Sequence, residues 1–222
     1  LACPKCVEGE IQDNPFHHEA TSVARRAGVD FTLNVSMNER REITGVFAGD
    51  LEVAHSAGVR FVKSQNGATV ESKADIVITS GAGAPLDSTF YQSIKGLTAV
   101  LPIVAEGGTI IIVSSCDDGI GSSEFEKLLL SNDSPEDFFR KLEDPDFFVI
   151  DQWQLQELCK VVKKARVILY SHGIPERFKD KLFVEVVESF ESGLADSVAR
   201  YKEEPTIAVV PKGPYVLTKL RE

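Results

Sequence analysis

The sequence predicts an α/β fold: a parallel-sheet domain with flanking helices, preceded by a smaller α+β region. From about residue 72 onward, short apolar stretches alternate with amphipathic ones, the pattern of strand–helix–strand units that form a parallel sheet. The continuous apolar run Ile110 to Val113 is typical of a strand that helices cover on both faces. Before residue 72, apolar and polar residues alternate singly, as in an antiparallel hairpin.

The α+β region begins with a short helix over residues 18–27, because Asn14-Pro15 precedes it and Gly28 follows it. Residues 31–37 and 42–47 then predict a hairpin that is half buried on one face.

After the hairpin, Asp50 caps a helix that we expect to end at Gly58. Asn66-Gly67 follows as a tight-turn signal.

Three strands are predicted for the parallel sheet: residues 75–79, 109–114 and 167–170. A last strand over 206–210 could complete either domain. Helices are expected before about residue 104, from Ser122 or Ser123 onward, around Trp153, and over 181–201, where Gly193 would divide the helix.

Composition excludes several classes of function. The chain carries 34 acidic and 24 basic residues, a net charge of −10, and shows no basic patch, so we expect neither a nucleic-acid nor a membrane partner. The sequence shows no membrane span and no signal core, which makes the cytoplasm the default location. Residue 1 is Leu rather than Met, so we expect a processed chain or a piece of a longer protein.

The four cysteines are too few and too scattered for a disulfide framework. Cys3 and Cys6 have the spacing of half a zinc site or of a redox pair, but only His17 and His18 lie near them as further ligands. A zinc or redox module is therefore a minor alternative.

Two glycine pairs follow predicted strands without completing a dinucleotide-binding motif. After Gly81-Ala82-Gly83 the third glycine would stand at Leu86, and after Gly119-Ile120-Gly121 it would stand at Glu124. No phosphate loop and no serine nucleophile elbow is present in the sequence.

The stretch 74–95 carries the strongest indication of a site. It runs from an apolar strand through a glycine-rich turn into a helix whose apolar stripe includes Phe90 and Ile94. Tyr91, Gln92 and Lys95 lie on the other side of that helix, just after the carboxyl end of a parallel strand, where open α/β sheets bind ligands. The alternative is an ordinary solvated helix face.

Two further residues are candidates. His172 follows the strand 167–170, on the same sheet edge, and is a candidate acid or base or a plain hydrogen-bonded loop residue. Trp153 lies about 160° from the apolar stripe of its own helix. It either packs under a loop or forms an apolar wall of a cleft.

At these residues the chain resembles the C-terminal part of the nickel-dependent lactate racemases. The matching pieces are Gly28-Val29-Asp30-Phe31, Asn34-Val35, Ala48-Gly49-Asp50, Ala54-His55, Pro85-Leu86-Asp87, Tyr91-Gln92, Lys95-Gly96 and Asp151-Gln152-Trp153. Their order and spacing make the resemblance more specific than any single piece.

The resemblance implies an isomerase that racemises lactate, or epimerises related 2-hydroxy acids, by reversible hydride abstraction at Cα with a nickel-pincer nucleotide. It implies that Lys95 and Gln92 are catalytic and that both, with Tyr91 and Trp153, border the substrate and cofactor. The family's cofactor lysine, nickel-binding histidine and paired acid–base histidines precede Leu1. We therefore expect no metal site and no cofactor in this chain, and an inactive fragment whose partners are a 2-hydroxy acid and the missing N-terminal domain.

The same resemblance divides the chain. Residues 1–72 are expected to be the C-terminal part, an α+β remnant, of the N-terminal domain. Residues 206–222 either join them there or complete the second domain. Residues 73–205 would form the C-terminal α/β domain. The alternative function is a non-catalytic α/β module that binds a nucleotide or an organic acid. The identity of the 2-hydroxy acid and the oligomeric state stay open.

Overall fold

The computed structural model describes residues 3, 5–38 and 40–221. The chain divides into two compact units, Leu1–Ala68 and Thr69–Glu222. The division falls slightly before the predicted boundary at 72/73, and residues 206–222 belong to the second unit. Leu1, and Glu39 in the predicted hairpin turn, lie outside the described residues.

The first unit consists of two helices and a hairpin: α1 (Pro15–Arg26), β1 (Thr32–Met37), β2 (Ile43–Gly49) and α2 (Leu51–Asn66). The side chain of Asn14 accepts hydrogen bonds from two backbone amides at the start of α1, and Pro15 is its first residue. The predicted start at residue 18 is therefore three residues late. Strands β1 and β2 pair antiparallel, with Val35 opposite Val46.

The predicted end of α2 at Gly58 is wrong, because the helix continues to Asn66. A Cβ atom at position 58 would lie 3.2 Å from the ring of Phe47 on β2. Gly58 therefore allows α2 to pack closely against the hairpin and does not end the helix.

Strand β3 (Gly67–Val70) spans the division between the units. The second unit contains the remaining strands and helices: β4 (Ala74–Ser80), α3 (Phe90–Val100), β5 (Val104–Val113), α4 (Ser123–Leu130), α5 (Pro135–Lys141), α6 (Gln152–Lys164), β6 (Arg166–Tyr170), β7 (Glu185–Val187), α7 (Phe190–Ala199), β8 (Ile207–Val210) and β9 (Leu217–Leu220). Short β3 pairs with β9 outside the main sheet.

Five strands form the parallel sheet, in the order β7-β6-β5-β4-β8. The fold class predicted from the sequence is confirmed, including the three strands predicted for this sheet. The last predicted strand, which could have completed either domain, joins this sheet as β8. All five carboxyl ends reach the same edge because every pair is parallel. The order along the sheet reverses at β4, which pairs with β5 on one side and with β8 on the other.

Helices cover both faces of the sheet. Successive side chains of a strand point to opposite faces. Val77 and Ile110 belong to the larger core with residues of α3 and α6, whereas Ile76 and Ile111 belong to the smaller core, where Leu194 of α7 packs. This arrangement explains the continuous apolar runs in the sequence.

The predicted helix over 181–201 is wrong in its first half. Residues 185–187 form the edge strand β7, paired with β6, and α7 begins only at Phe190. Gly193 does not divide α7; a Cβ there would lie 3.2 Å from Ile168 and 3.3 Å from Val187. Pairing with β6 therefore overrides the local helical pattern, and glycine allows α7 to approach the sheet closely.

Among the described residues, no helix combines the length and the apolar character needed to span a bilayer.

Candidate substrate-binding site

The site is built on the loop that joins β4 to α3 at the carboxyl edge of the sheet. The loop is fixed by Asp87, whose backbone carbonyl accepts hydrogen bonds from the backbone amide of Cys116 (2.8 Å) and from the hydroxyl of Ser115 (3.0 Å). The hydroxyl of Thr89 then caps α3 by accepting a hydrogen bond from the Gln92 backbone amide at 3.2 Å. The start of α3 is thus anchored to the loop after β5.

Helix α3 is buried almost completely. Three of its eleven residues retain partial exposure, and these are Tyr91, Gln92 and Lys95. The expectation that these three side chains lie away from the apolar stripe is confirmed. The side chains that α3 offers to a ligand are therefore a phenol, an amide and an ammonium.

Tyr91 is held by aromatic contacts and by a carboxylate. Its ring meets Phe125 and Trp153 edge-on, with ring centroids 5.1 and 6.1 Å apart. Its hydroxyl donates a hydrogen bond to Oδ1 of Asp151 at 3.2 Å. Burial, and then the negative charge of Asp151, raise the pKa of Tyr91 to about 12. The phenol is therefore protonated near neutral pH and acts as a donor.

Asp151 connects three elements, and sequence reasoning did not assign it this role. Its other carboxylate oxygen accepts a hydrogen bond from the hydroxyl of Ser122 at 2.7 Å, just before α4. The backbone of Asp151 has φ 67°, the left-handed region, immediately before α6. The side-chain amide of Gln154, itself buried, donates to the Tyr91 carbonyl at 2.7 Å. The start of α6 is thus fixed against the start of α3.

Trp153 stands on the exposed side of α6, with 41% of its surface accessible, while Leu155, Leu158 and Cys159 of the same helix are fully buried. Its position outside the apolar stripe is confirmed. The contact with Tyr91 places its indole beside the start of α3.

Gln92 and Lys95 have polar groups available to a ligand. The side-chain oxygen of Gln92 is buried, and within the described part of the chain no donor reaches it. The Lys95 ammonium forms no hydrogen bond or ion pair with the residues that the structure describes. Lys95 is four residues after Tyr91, so the two side chains lie on the same side of α3. Its unpaired ammonium is suited to bind an anion.

His172 follows β6, at the same sheet edge as predicted, and is exposed. Its Nε2 lies 2.9 Å from the hydroxyl of Tyr170, and the two rings meet edge-on. This contact with Tyr170, two residues earlier in the chain, matches the interpretation of His172 as a hydrogen-bonded loop residue.

The cysteines are all free among the described residues. Cys3 is exposed and Cys6 half-buried, whereas Cys116 and Cys159 are buried. Burial raises the pKa of the Cys159 thiol to about 12. Within residues 3, 5–38 and 40–221, no group of three or more His, Cys, Asp or Glu side chains is arranged to hold a metal ion.

Comparison with known proteins gives consistent results. Residues 69–218 match the family model described as the lactate racemase C-terminal domain. The chain is 32% identical over 218 residues to the lactate racemase of Lactiplantibacillus plantarum, and 32% over 219 residues to that of Thermoanaerobacterium thermosaccharolyticum. Each alignment covers 97% of the chain and 51% of the relative, so the chain spans about half the length of the curated relatives it matches.

Among solved structures, the lactate racemase apoprotein from Thermoanaerobacterium thermosaccharolyticum superposes with a TM-score of 0.88 at 31% identity, over 99% of this chain and 52% of that one. A protein from Thermotoga maritima superposes with a TM-score of 0.65 at 16% identity, over 94% of this chain and 54% of that one. This second likeness shows the fold alone.

Proposed function

Because the chain belongs to the lactate racemase family, whose C-terminal domain matches residues 69–218, we propose that its full-length parent racemises lactate or epimerises a related 2-hydroxy acid. The observation that carries this proposal is the exposure pattern of α3, where only Tyr91, Gln92 and Lys95 remain accessible. In this proposal they form one wall of the site together with Trp153.

The substrate of such an isomerase is an anion, and Lys95 is the group suited to its carboxylate. The ammonium is half-buried and has no carboxylate partner among the described residues, so binding an anion breaks no existing ion pair. A charge-assisted contact of this kind contributes about 1.5–3 kcal/mol.

Gln92 supplies the second polar contact. Its buried side-chain oxygen is an acceptor that receives no hydrogen bond from the described residues. A hydroxyl group on the substrate is a suitable donor, and hydroxyl and carboxylate are the two polar groups of a 2-hydroxy acid. Lys95 and Gln92 are one turn or less apart on α3, which fits groups on adjacent carbon atoms.

Tyr91 and Trp153 position the substrate rather than exchange protons with it. The Tyr91 phenol has a pKa of about 12 and already donates to Asp151, so it is a poor base near neutral pH. The edge-on pair of rings supplies an apolar wall that excludes water from one side of the site.

We further propose that the parent uses a nickel-pincer nucleotide, as the family resemblance implies. When bound, this cofactor would reversibly accept the hydrogen at Cα of the substrate. The unpaired Lys95 ammonium and the Gln92 amide fit the anionic and polar groups of such a nucleotide as well as those of the substrate. In this proposal the residues that hold nickel and attach the cofactor lie in the N-terminal half of the parent, and this chain alone is inactive.

A racemisation assay of the full-length parent tests the proposal. The purified parent is incubated separately with each enantiomer of lactate and of longer 2-hydroxy acids, and both enantiomers are quantified by chiral chromatography. We expect conversion toward an equal mixture for at least one acid. No interconversion of any 2-hydroxy acid by nickel- and cofactor-loaded parent would contradict the proposed function.

A further inference from the structure

Two thiols of the first unit have no role in the proposed reaction. Cys3 and Cys6 are separated by two residues in the sequence, and both are free in the structure. Two cysteines with this spacing are typical either of half a zinc site or of a redox pair. The contacts around them distinguish between these two roles.

A backbone hydrogen bond holds the two cysteines close together. The amide of Cys6 donates to the carbonyl of Cys3 at 2.9 Å, which is the hydrogen bond that closes a β-turn. The first and fourth Cα atoms of such a turn lie less than about 7 Å apart. A disulfide joins Cα atoms that are about 4.4–6.8 Å apart. The backbone therefore already holds both residues near the separation that a disulfide needs.

The chain after Cys6 is fixed to the start of α1. The side-chain amide of Asn14, the residue that caps this helix, donates to the carbonyls of Val7 at 3.3 Å and Glu10 at 3.1 Å. The amide of Glu10 in turn donates to the carbonyl of Val7 at 3.2 Å. Cys6 is thus one residue from an anchored segment, and closing a bond to Cys3 requires little further ordering of the chain.

Exposure separates this pair from the other two cysteines. Cys3 is exposed and Cys6 is half-buried, whereas Cys116 and Cys159 are fully buried. Exchange with a disulfide requires a thiolate that can reach a sulfur atom of the reagent. Burial also raises the pKa of the Cys159 thiol to about 12, which keeps it protonated. Cys3 is therefore the thiol best placed to react first.

The surroundings do not complete a zinc site. In the part of the chain that the structure describes, no group of three or more His, Cys, Asp or Glu side chains is placed to hold a metal ion. The two histidines nearest in sequence have other contacts. The ring of His17 stacks on that of His55, with centroids 5.1 Å apart, and Nε2 of His18 lies 2.6 Å from the Gln12 carbonyl oxygen. The contacts thus favour the redox role.

We propose that Cys3 and Cys6 are a reversible dithiol–disulfide pair that reacts with the disulfide of a low-molecular-weight thiol. The Cys3 thiolate attacks one sulfur of that disulfide, which forms a mixed disulfide and releases one thiolate. The Cys6 thiolate then attacks the Cys3 sulfur, which forms the Cys3–Cys6 bond and releases the second thiolate. The pair gives up two electrons and two protons, and the small disulfide is reduced to two thiols.

This inference goes beyond the proposed function and does not depend on it, because the pair reacts in the same way whether or not the parent racemises a 2-hydroxy acid.

Redox titration of the full-length parent tests the proposal. The native protein is equilibrated in buffers with different ratios of reduced to oxidised glutathione, quenched with acid, alkylated, digested with trypsin and analysed by mass spectrometry. Trypsin cleaves after Lys5, between the two cysteines, so an oxidised pair is recovered as two peptides joined by a disulfide. We expect these joined peptides in oxidising buffers, about 2 Da lighter than the sum of the reduced peptides, and their loss when the protein is returned to a reducing buffer.

The single variants Cys3→Ser and Cys6→Ser are the matched controls. Each retains one thiol of the pair, so each should form a mixed disulfide with glutathione and no joined peptides. Cys116 and Cys159 should stay unoxidised in every buffer and serve as internal controls. The decisive measurement is made on the wild type, so a folding defect in a variant does not affect it.

Three results would overturn the proposal. The first is alkylation of both Cys3 and Cys6 even in the most oxidising buffer. The second is a disulfide from either residue to a cysteine elsewhere in the parent or in a second copy. The third is one zinc ion per reduced parent chain, measured by metal analysis and lost in both serine variants, which would identify the pair as metal ligands.

Discussion

Replacing Lys95 by alanine in the full-length parent is the most direct test of the site. The variant removes the cation that we propose binds the substrate carboxylate, and the expected loss of a charge-assisted contact is about 1.5–3 kcal/mol. Since about 1.4 kcal/mol corresponds to a factor of ten, kcat/KM should fall roughly ten- to a hundredfold.

The structure also predicts that this loss is not a folding effect. Lys95 is half-buried and has no ion-pair partner among the described residues, so the variant leaves no carboxylate unpaired. The midpoint of thermal unfolding should change little, because substitutions away from buried or paired groups usually alter stability by about 0.5 kcal/mol or less.

Two lysines of α6 provide matched controls. Lys160 pairs with Glu157 at 2.7 Å, and the Lys163 ammonium lies 6.0 Å from the ring centre of Phe139. Lys160→Ala and Lys163→Ala remove the same charge from the helix that carries Trp153, so they correct for the change in net charge. Neither should lower kcat/KM by more than about twofold.

The assay measures initial rates from each enantiomer of every accepted 2-hydroxy acid. The two enantiomers have equal free energies, so kcat/KM must fall by the same factor in both directions for Lys95→Ala. If Lys95→Ala retained the kcat/KM of the wild type within about twofold on every substrate, the charge at this position would have no role in the site.

Four further predictions concern the contacts around Tyr91 and the metal content of the isolated chain. Tyr91→Phe removes the hydrogen bond to Asp151 but keeps the ring, so the free energy of unfolding, measured with urea, should fall by about 1 kcal/mol; no change would mean that this bond is not formed in solution. The folded-state pKa of Tyr91 is about 12, above the ordinary value of 10, so the unfolded chain loses the phenol proton first. Stability should therefore fall as pH rises from 10 to 12, and less steeply for Tyr91→Phe. Asp151→Ala should lower the free energy of unfolding by about 2 kcal/mol, because it removes two accepted hydrogen bonds and places alanine at φ 67°. Asparagine tolerates that backbone conformation, so Asp151→Asn should lose less stability. Equal losses of stability in the two variants would contradict this reasoning. Finally, the isolated 222-residue chain should bind no stoichiometric nickel and racemise no lactate. Metal analysis by mass spectrometry checks this, and a tightly bound nickel ion would mean that the metal site has been misplaced.

Much of the fold could be predicted because its elements follow local patterns. The four strands of continuous apolar residues and the amphipathic helix α3 each carry their period in the sequence. The edge strand β7 does not, since its three residues become a strand only through pairing with β6. Gly58 and Gly193 were misread as helix breaks because their actual role, contact with Phe47 and with Ile168, is visible only in three dimensions.

The site was predictable to a similar extent. Helical periodicity separated Tyr91, Gln92 and Lys95 from the buried stripe of α3, and it placed Trp153 outside the stripe of α6. The role of Asp151 had no local signal, because it depends on a left-handed backbone and on partners far along the chain. The location of the protein in the cytoplasm stays a prediction.

The position of β4 in the sheet has a consequence for biosynthesis. It is the first strand of the sheet to leave the ribosome, yet one of its two edges is covered by β8, whose flanking Thr206 contacts Asp75 across 131 positions of sequence. Until β8 emerges, the backbone N–H and C=O groups of β4 are unpaired along that edge, and a strand of another nascent chain can pair with them. Truncation before residue 207 should therefore yield aggregates rather than a smaller soluble domain, and production of this domain depends on translation reaching its last parallel strand.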